Sequence, residues 1–205
     1  MIKAGITGGI GSGKTTVCRI FQVMGVPCYL ADDRAKALMN ENAEVQHQLK
    51  SEFGPDIFQN GELDRKNLAG IVFNDRQKLE KLNNIVHPAV EKDFNLWVHN
   101  HSGYPLVMKE AALLFESGSY KKLDFIITVT APEEMRIKRV MERDGVKRDD
   151  VLNRMKNQWP QEKKDQQSGY VIKNDGKQLI IPEASRIYEE LKRKAENSPE
   201  SKLNN

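Results

Sequence analysis

Five short apolar runs punctuate the chain: Ile2 to Thr7, Pro27 to Ala31, Leu106 to Lys109, Phe125 to Val129 and Tyr170 to Lys173. Runs of this length bounded by glycine, proline and polar residues predict buried strands. After the first run, Lys14 to Met24 carries Val17, Ile20, Phe21 and Met24 at helical spacing until Gly25 stops it. Apolar strands alternating with helices predict a five-stranded parallel sheet covered on both faces, an α/β fold.

The spacing of the runs is uneven. About 70 residues separate the second from the third, where a simple crossover needs on the order of a dozen. That stretch reads as helices over Asp33 to Asn40, Ala43 to Phe53, Asp64 to Phe73, and from Asp75 towards His101. The last carries an apolar stripe of Leu79, Leu82, Ile85, Val86, Ala89 and Val90. Residues 32–103 are expected to form an inserted helical subdomain at the carboxyl edge of the sheet. A second, charged helical excursion over 132–165 is expected to be a lid. The core is then 1–31, 104–131 and 166–195, and the polar residues 196–205 form a flexible tail.

Composition narrows the class. Of 205 residues, 39% are hydrophobic and 30% charged, enough for a core and a solvated surface, which excludes disordered and fibrous classes. Lys and Arg number 32 against 29 Asp and Glu, a balance of +3 that gives no field for wrapping nucleic acid. No apolar run approaches the roughly 18 residues of a membrane span, and the start Met1-Ile2-Lys3 leads into a strand without a signal-peptide core. The expectation is a cytoplasmic protein, monomeric or a weak homo-oligomer, without nucleic-acid or membrane partners. Cys18 and Cys28 lack the CxxC spacing and read as buried reduced thiols.

Gly8-Gly9-Ile10-Gly11-Ser12-Gly13-Lys14-Thr15 satisfies G-x-x-x-x-G-K-[ST] between a predicted strand and a predicted helix, the context that motif requires. Glycines let successive N–H groups converge on phosphate oxygens, and the helix adds the positive end of its dipole. Lys14 supplies a mobile ammonium for the β and γ phosphates, and the Thr15 hydroxyl is placed to ligate magnesium. This is a site for a nucleoside triphosphate with Mg2+. The chain contains neither N-K-x-D nor D-x-x-G, which argues against a GTPase switch. A small-molecule kinase with a substrate subdomain and a lid fits the two helical excursions.

Phosphoryl transfer needs a positioned hydroxyl, a group to take its proton, and cations for the transferring phosphate. Asp32 closes the second strand at the carboxyl edge, where ligands of open α/β sheets gather. It is either that base (or a metal holder), or Asp32 or Asp33 is the N-cap of the next helix. Arg136, Arg139 and Arg143 share one helix face, with Ile137, Val140 and Met141 on another, and they read either as phosphate ligands or as a solvated face. The four histidines show no metal spacing, so no metal site formed by the protein alone is expected.

Taken together, these residues resemble the dephospho-coenzyme A kinase family over about Ile2 to Leu191. The run from Gly5 to Thr16 is close to that family's own phosphate loop. Ala31-Asp32 with Ala35-Lys36 matches half of its D-A-D element, His87-Pro88 its HP pair, and Leu113-Leu114-Phe115-Glu116 its LLFE stretch. Arg139 and Arg143 match its lid arginines, followed by Arg154 and Gln158 and by an N-x-G turn at Asn174-Asp175-Gly176. The chain departs from the pattern at Leu30, Glu110, Ala112, Arg136 and Ser168-Gly169. The resemblance implies transfer of the ATP γ-phosphate to the ribose 3′-hydroxyl of dephospho-coenzyme A. It makes Asp32, Lys14 and Arg139 catalytic, and Gly8, Gly9, Gly11, Ser12, Gly13, Lys14, Thr15, Thr16, Arg143 and Asn174 nucleotide-binding. Asp32 and His87 are substrate residues, and Glu110 is a candidate for the metal's water shell. A kinase for a nucleoside monophosphate or shikimate, and a nucleotide-binding regulator without transfer, are the alternatives.

Overall fold

The computed structural model describes residues 1–72 and 75–197. The expected helix end at Phe73 and most of the expected tail fall outside them. The chain divides into two compact units, Ala31–Asn100 and the remainder.

In chain order, β1 (Ile2–Thr7), α1 (Lys14–Val23) and β2 (Cys28–Leu30) come first. The Ala31–Asn100 unit holds α2 (Ala31–Glu41), α3 (Ala43–Phe53), β3 (Phe58–Gln59), β4 (Glu62–Leu63), α4 (Arg65–Val72) and α5 (Arg76–Asn100). The first unit resumes with β5 (Leu106–Glu110), β6 (Phe125–Thr130), α6 (Glu133–Asp144), α7 (Arg148–Lys156), α8 (Gln161–Gln167), β7 (Tyr170–Lys173) and α9 (Ile180–Glu196).

The five core strands form one parallel sheet in the order β2-β5-β1-β6-β7. β1 is central, with Ile2 opposite Leu106 and Ala4 opposite Phe125. Both its edges are hydrogen-bonded and both its faces covered, so Ala4 and Ile6 are fully buried and the strand reads as a continuous apolar run. Against this sheet α1 sets Val17, Cys18 and Phe21, while α9 sets Ala184, Ile187, Leu191 and Ala195, spaced as one helical stripe. Burial of a side chain such as Phe21 contributes about 1.5–3 kcal/mol. That packing fixes the end of β1 against the start of α1, where the glycine loop lies.

The Ala31–Asn100 unit has its own core of Val45, Leu49, Ile57, Leu63, Leu68 and Val72, onto which Leu79, Leu82, Ile85 and Ala89 of α5 pack. Asn42 caps α3 by accepting from the N–H groups of Glu44 and Val45 at 3.0 and 3.1 Å. Arg34 of α2 donates to both carboxylate oxygens of Asp93 on α5 at 3.0 and 2.9 Å. The β3–β4 hairpin, absent from the sequence expectations, turns on Asn60 and Gly61, both at positive φ.

One boundary differs in a way that bears on the site. β2 stops at Leu30 and α2 starts at Ala31, so Asp32 and Asp33 are neither strand end nor N-cap but lie in the first helical turn. Two carboxylates there face the positive end of the helix dipole, which favours starting the helix early.

Candidate active site

The phosphate loop joins β1 to α1. Gly13 stands at the head of α1 in the left-handed region with φ 96°, and the helix has no side-chain cap. A Cβ at Gly13 would come 2.2 Å from Asn174 Nδ2, and one at Gly11 (φ 79°) 2.4 Å from the Arg136 carbonyl oxygen. Only glycine fits the backbone and the space at those two positions. The first helical N–H groups have no intrahelical partners by geometry, and Gly13 at the N-cap has no side chain to replace them. Ser12 Oγ, fully buried, has no hydrogen-bond partner among the described residues. An uncapped helix head beside a buried orphan hydroxyl suits an anionic oxygen cluster such as a polyphosphate.

Cationic side chains gather at the same loop. Lys14 is buried, with Nζ 3.5 Å from the Gly9 carbonyl oxygen. From α6, Arg139 donates to the carbonyl oxygens of Gly11 at 3.5 Å and Asn174 at 3.2 Å. Asn174, just past β7, donates through Nδ2 to the Ser12 carbonyl oxygen at 2.8 Å. Arg139 and Asn174 thus clamp the loop from two elements. Arg136 is more deeply buried: its Nη1 would lie 2.0 Å from a Cβ at Gly9, its Nε has no partner among the described residues, and Glu133 is 3.9 Å away. Burial pulls its guanidinium down from the usual arginine range, while Glu133, Glu162 and Asp165 act in the other direction.

The three arginines of α6 therefore diverge. Arg143 is exposed and bonded to Asp144 at 2.7 and 3.1 Å rather than to the loop. Met141, expected on the apolar face, is exposed, and the face instead buries Ile137 and Val140 against Val151 of α7. Arg143 and then Arg154 hold the Asp144 carboxyl below the usual carboxylate range.

The other arm of the loop is gripped by residues that the sequence reading gave no role. Gln161 Oε1 accepts the Gly9 N–H and Gln158 Oε1 the Ile10 N–H, both at 2.9 Å. Between them, the Trp159 N–H donates to Glu116 Oε1 at 2.7 Å, and the same oxygen meets the fully buried Lys164 ammonium at 2.8 Å. Lys164 also donates to the Ala112 carbonyl oxygen at 2.8 Å. The Trp159 ring stacks on Phe115 with centroids 5.5 Å apart, and Lys163 lies 3.7 Å above it. Glu116 of the LLFE stretch is thus the anchor of this arm. A cleft of about 1120 Å³ beside the loop is lined in part by Arg136, Gln158, Trp159 and Gln161.

The family model described as dephospho-CoA kinase matches residues 2–179. The chain belongs to the dephospho-CoA kinase family. A dephospho-CoA kinase of Porphyromonas gingivalis is 39% identical over 201 residues, covering 98% of this chain and 99% of that protein. A crystal structure of a Thermus thermophilus protein superposes with a TM-score of 0.80 at 36% identity, covering 92% of this chain and 96% of that one. The dephospho-CoA kinase from Campylobacter jejuni gives a TM-score of 0.69 at 26% identity, covering 94% and 98%.

Within this family the remaining expected site residues take the following places. Thr15 and Thr16 are exposed in the first turn of α1. Glu110 is buried at the carboxyl end of β5, opposite Ile6 of β1. Asp175 follows Asn174 in the N-x-G turn and accepts from the N–H groups of Lys177 and Gln178, which hold its carboxyl below the usual range. In the Ala31–Asn100 unit, Asp32 is exposed on α2. His87 is half-buried on α5 and lines a recess of about 480 Å³ with Asn83, Asn84, Glu91 and Lys92. Pro88 stands inside that helix, so the Asn84 carbonyl lacks its usual i+4 donor. Among the described residues no cluster of three His, Cys, Asp or Glu side chains could hold a metal, and no helix is long and apolar enough to cross a membrane.

Proposed function

We propose that this chain transfers the γ-phosphate of ATP to the ribose 3′-hydroxyl of dephospho-coenzyme A, giving coenzyme A and ADP. The observation that carries the reading is the uncapped, glycine-turned head of α1 with Lys14 beside it, in a chain whose residues 2–179 match the dephospho-CoA kinase family.

In this reading the backbone N–H groups from Gly11 to Thr16 hold the triphosphate, and Lys14 and Arg139 neutralise charge that builds on the transferring phosphate. Asn174 supports the nucleotide side, and Arg143 turns from Asp144 to the nucleotide. Asp32 accepts the proton of the attacking hydroxyl, an acid-base role worth about 10²–10⁴ in rate. His87 contacts the acceptor. Residues 32–103 act as the acceptor-binding subdomain and 132–165 as the lid. Magnesium fits the hard oxygen donors available: Thr15 would hold it together with phosphate oxygens, with Glu110 bonding its water shell, and it supplies Lewis-acid neutralisation of phosphate charge.

Release of ADP from ATP and magnesium, followed with dephospho-coenzyme A, AMP, shikimate, pantothenate or no acceptor, tests the reading. Turnover is expected with dephospho-coenzyme A alone. Equal rates with all acceptors would refute it, and nucleotide binding without turnover would mark a regulator.

A further inference from the structure

The phosphate loop is supported from behind by side chains that lie about 150 residues further along the chain. The Gly9 and Ile10 N–H groups point to Gln161 Oε1 and Gln158 Oε1, and the Ser12 N–H bonds the Gly9 carbonyl oxygen at 3.1 Å. Protein acceptors therefore engage the leading half of the loop, while the donors at the head of α1 are the ones geometry leaves for a phosphate.

The two glutamines are themselves held. Gln161 is buried, and its amide nitrogen donates to Asp165 Oδ1 at 2.8 Å, so its oxygen is aimed at the loop. Trp159, between them, is fixed through its N–H and its ring by Glu116 and Phe115, and Glu116 by the buried Lys164. A run with glycine at positions 8, 9, 11 and 13 has wide conformational freedom, and ordering it during binding would weaken affinity.

We propose that Gln158 and Gln161 are positioning residues that hold the phosphate loop in its nucleotide-binding form before nucleotide arrives, and so set the affinity for the polyphosphate of ATP and ADP. The inference rests on the nucleotide-binding role of the loop and not on the identity of the acceptor. The same hydrogen bonds have an opposite reading, in which the glutamine oxygens compete with phosphate for the loop donors. The two readings predict opposite signs.

Gln158→Met and Gln161→Met remove the acceptor oxygen at similar length. Calorimetric titration with magnesium-ADP, without acceptor, is expected to give a Kd raised about 3–10-fold in each variant, the worth of one lost hydrogen bond. The double variant should be raised about 10–100-fold. In turnover, kcat/KM for ATP falls while kcat at saturating ATP changes less. A merely structural role would lower the melting temperature and leave Kd of the folded protein unchanged. Unchanged or tighter binding in either folded variant overturns the proposal. Gln158 is only half-buried, so Gln158→Met decides the matter if Gln161→Met does not fold. Wild-type protein that binds ADP but does not phosphorylate dephospho-coenzyme A would refute the acceptor assignment and leave the Kd comparison intact.

Discussion

The phosphate loop and the Ala31–Asn100 unit are stabilised in contrasting ways. The loop is nearly all backbone, and its shape depends on polar side chains from distant positions: Arg139, Gln158, Gln161 and Asn174. The Ala31–Asn100 unit is closed within 70 consecutive residues by an apolar cluster and local caps, and it carries its candidate chemistry as side chains on helix surfaces. The first arrangement makes a binding surface whose geometry many substitutions can disturb. The second lets a reactive group change without disturbing the fold that bears it.

The sharpest test of that difference is Asp32→Asn. Turnover should fall about 10²–10⁴-fold with melting temperature and ATP affinity unchanged, as read by kinetics and titration. A variant of near wild-type rate would remove Asp32 from the mechanism. Arg139→Met should cost about 10²–10³ in kcat and, unlike the Asp32 change, should also weaken ATP binding, because Arg139 touches the loop backbone at Gly11. Lys164→Met leaves the half-buried Glu116 carboxylate without this cation and should lower unfolding free energy by about 2–4 kcal/mol in denaturant titration. Its effect on nucleotide affinity should follow that of the glutamines, since Glu116 anchors Trp159 between them.

The smallest expected effect is a pH dependence at the exposed end of α6. Arg143 and Arg154 depress the folded-state pKa of Asp144 below its unfolded value. The stabilisation is therefore present above the ordinary carboxylate pKa and is lost as pH falls through the depressed one. Asp144→Asn should lower stability at neutral pH by less than about 1 kcal/mol. Thermal melts should show the gap to wild type closing in acid. A gap that widens in acid would contradict the assigned sign.

The parallel sheet was legible in the sequence because each strand is a short apolar run whose period differs from that of the helices beside it. β1 and β7 fall on the residues expected, and β2, β5 and β6 differ by one or two. The hairpin at Asn60-Gly61 was less visible because its strands are two residues each, although an Asn-Gly pair is a strong turn signal. The stripe of Ala184, Ile187, Leu191 and Ala195 that makes α9 stands at helical spacing in the sequence and is equally legible there. Gln161 could not be found from sequence: a glutamine in a run of charged residues looks like solvated surface until the fold places its oxygen on Gly9. For the same reason the three arginines of α6 looked equivalent. Helical spacing gives a direction around one axis, whereas the loop contacts one end of the helix, which separates Arg136 and Arg139 from Arg143.

The central place of β1 has a consequence for how the chain is made. Its two partners are β5 and β6, so Ile2 waits for Leu106 and Ile6 for Ile127 before the sheet can close around it. At about 5–20 residues per second of synthesis, that is a delay on the order of 6–25 s during which an apolar segment has no strand to pair with. The Ala31–Asn100 unit, contiguous and locally connected, can fold within that interval. The strand that leads into the phosphate loop is therefore translated well before either of its sheet neighbours, and it needs protection while it waits for them.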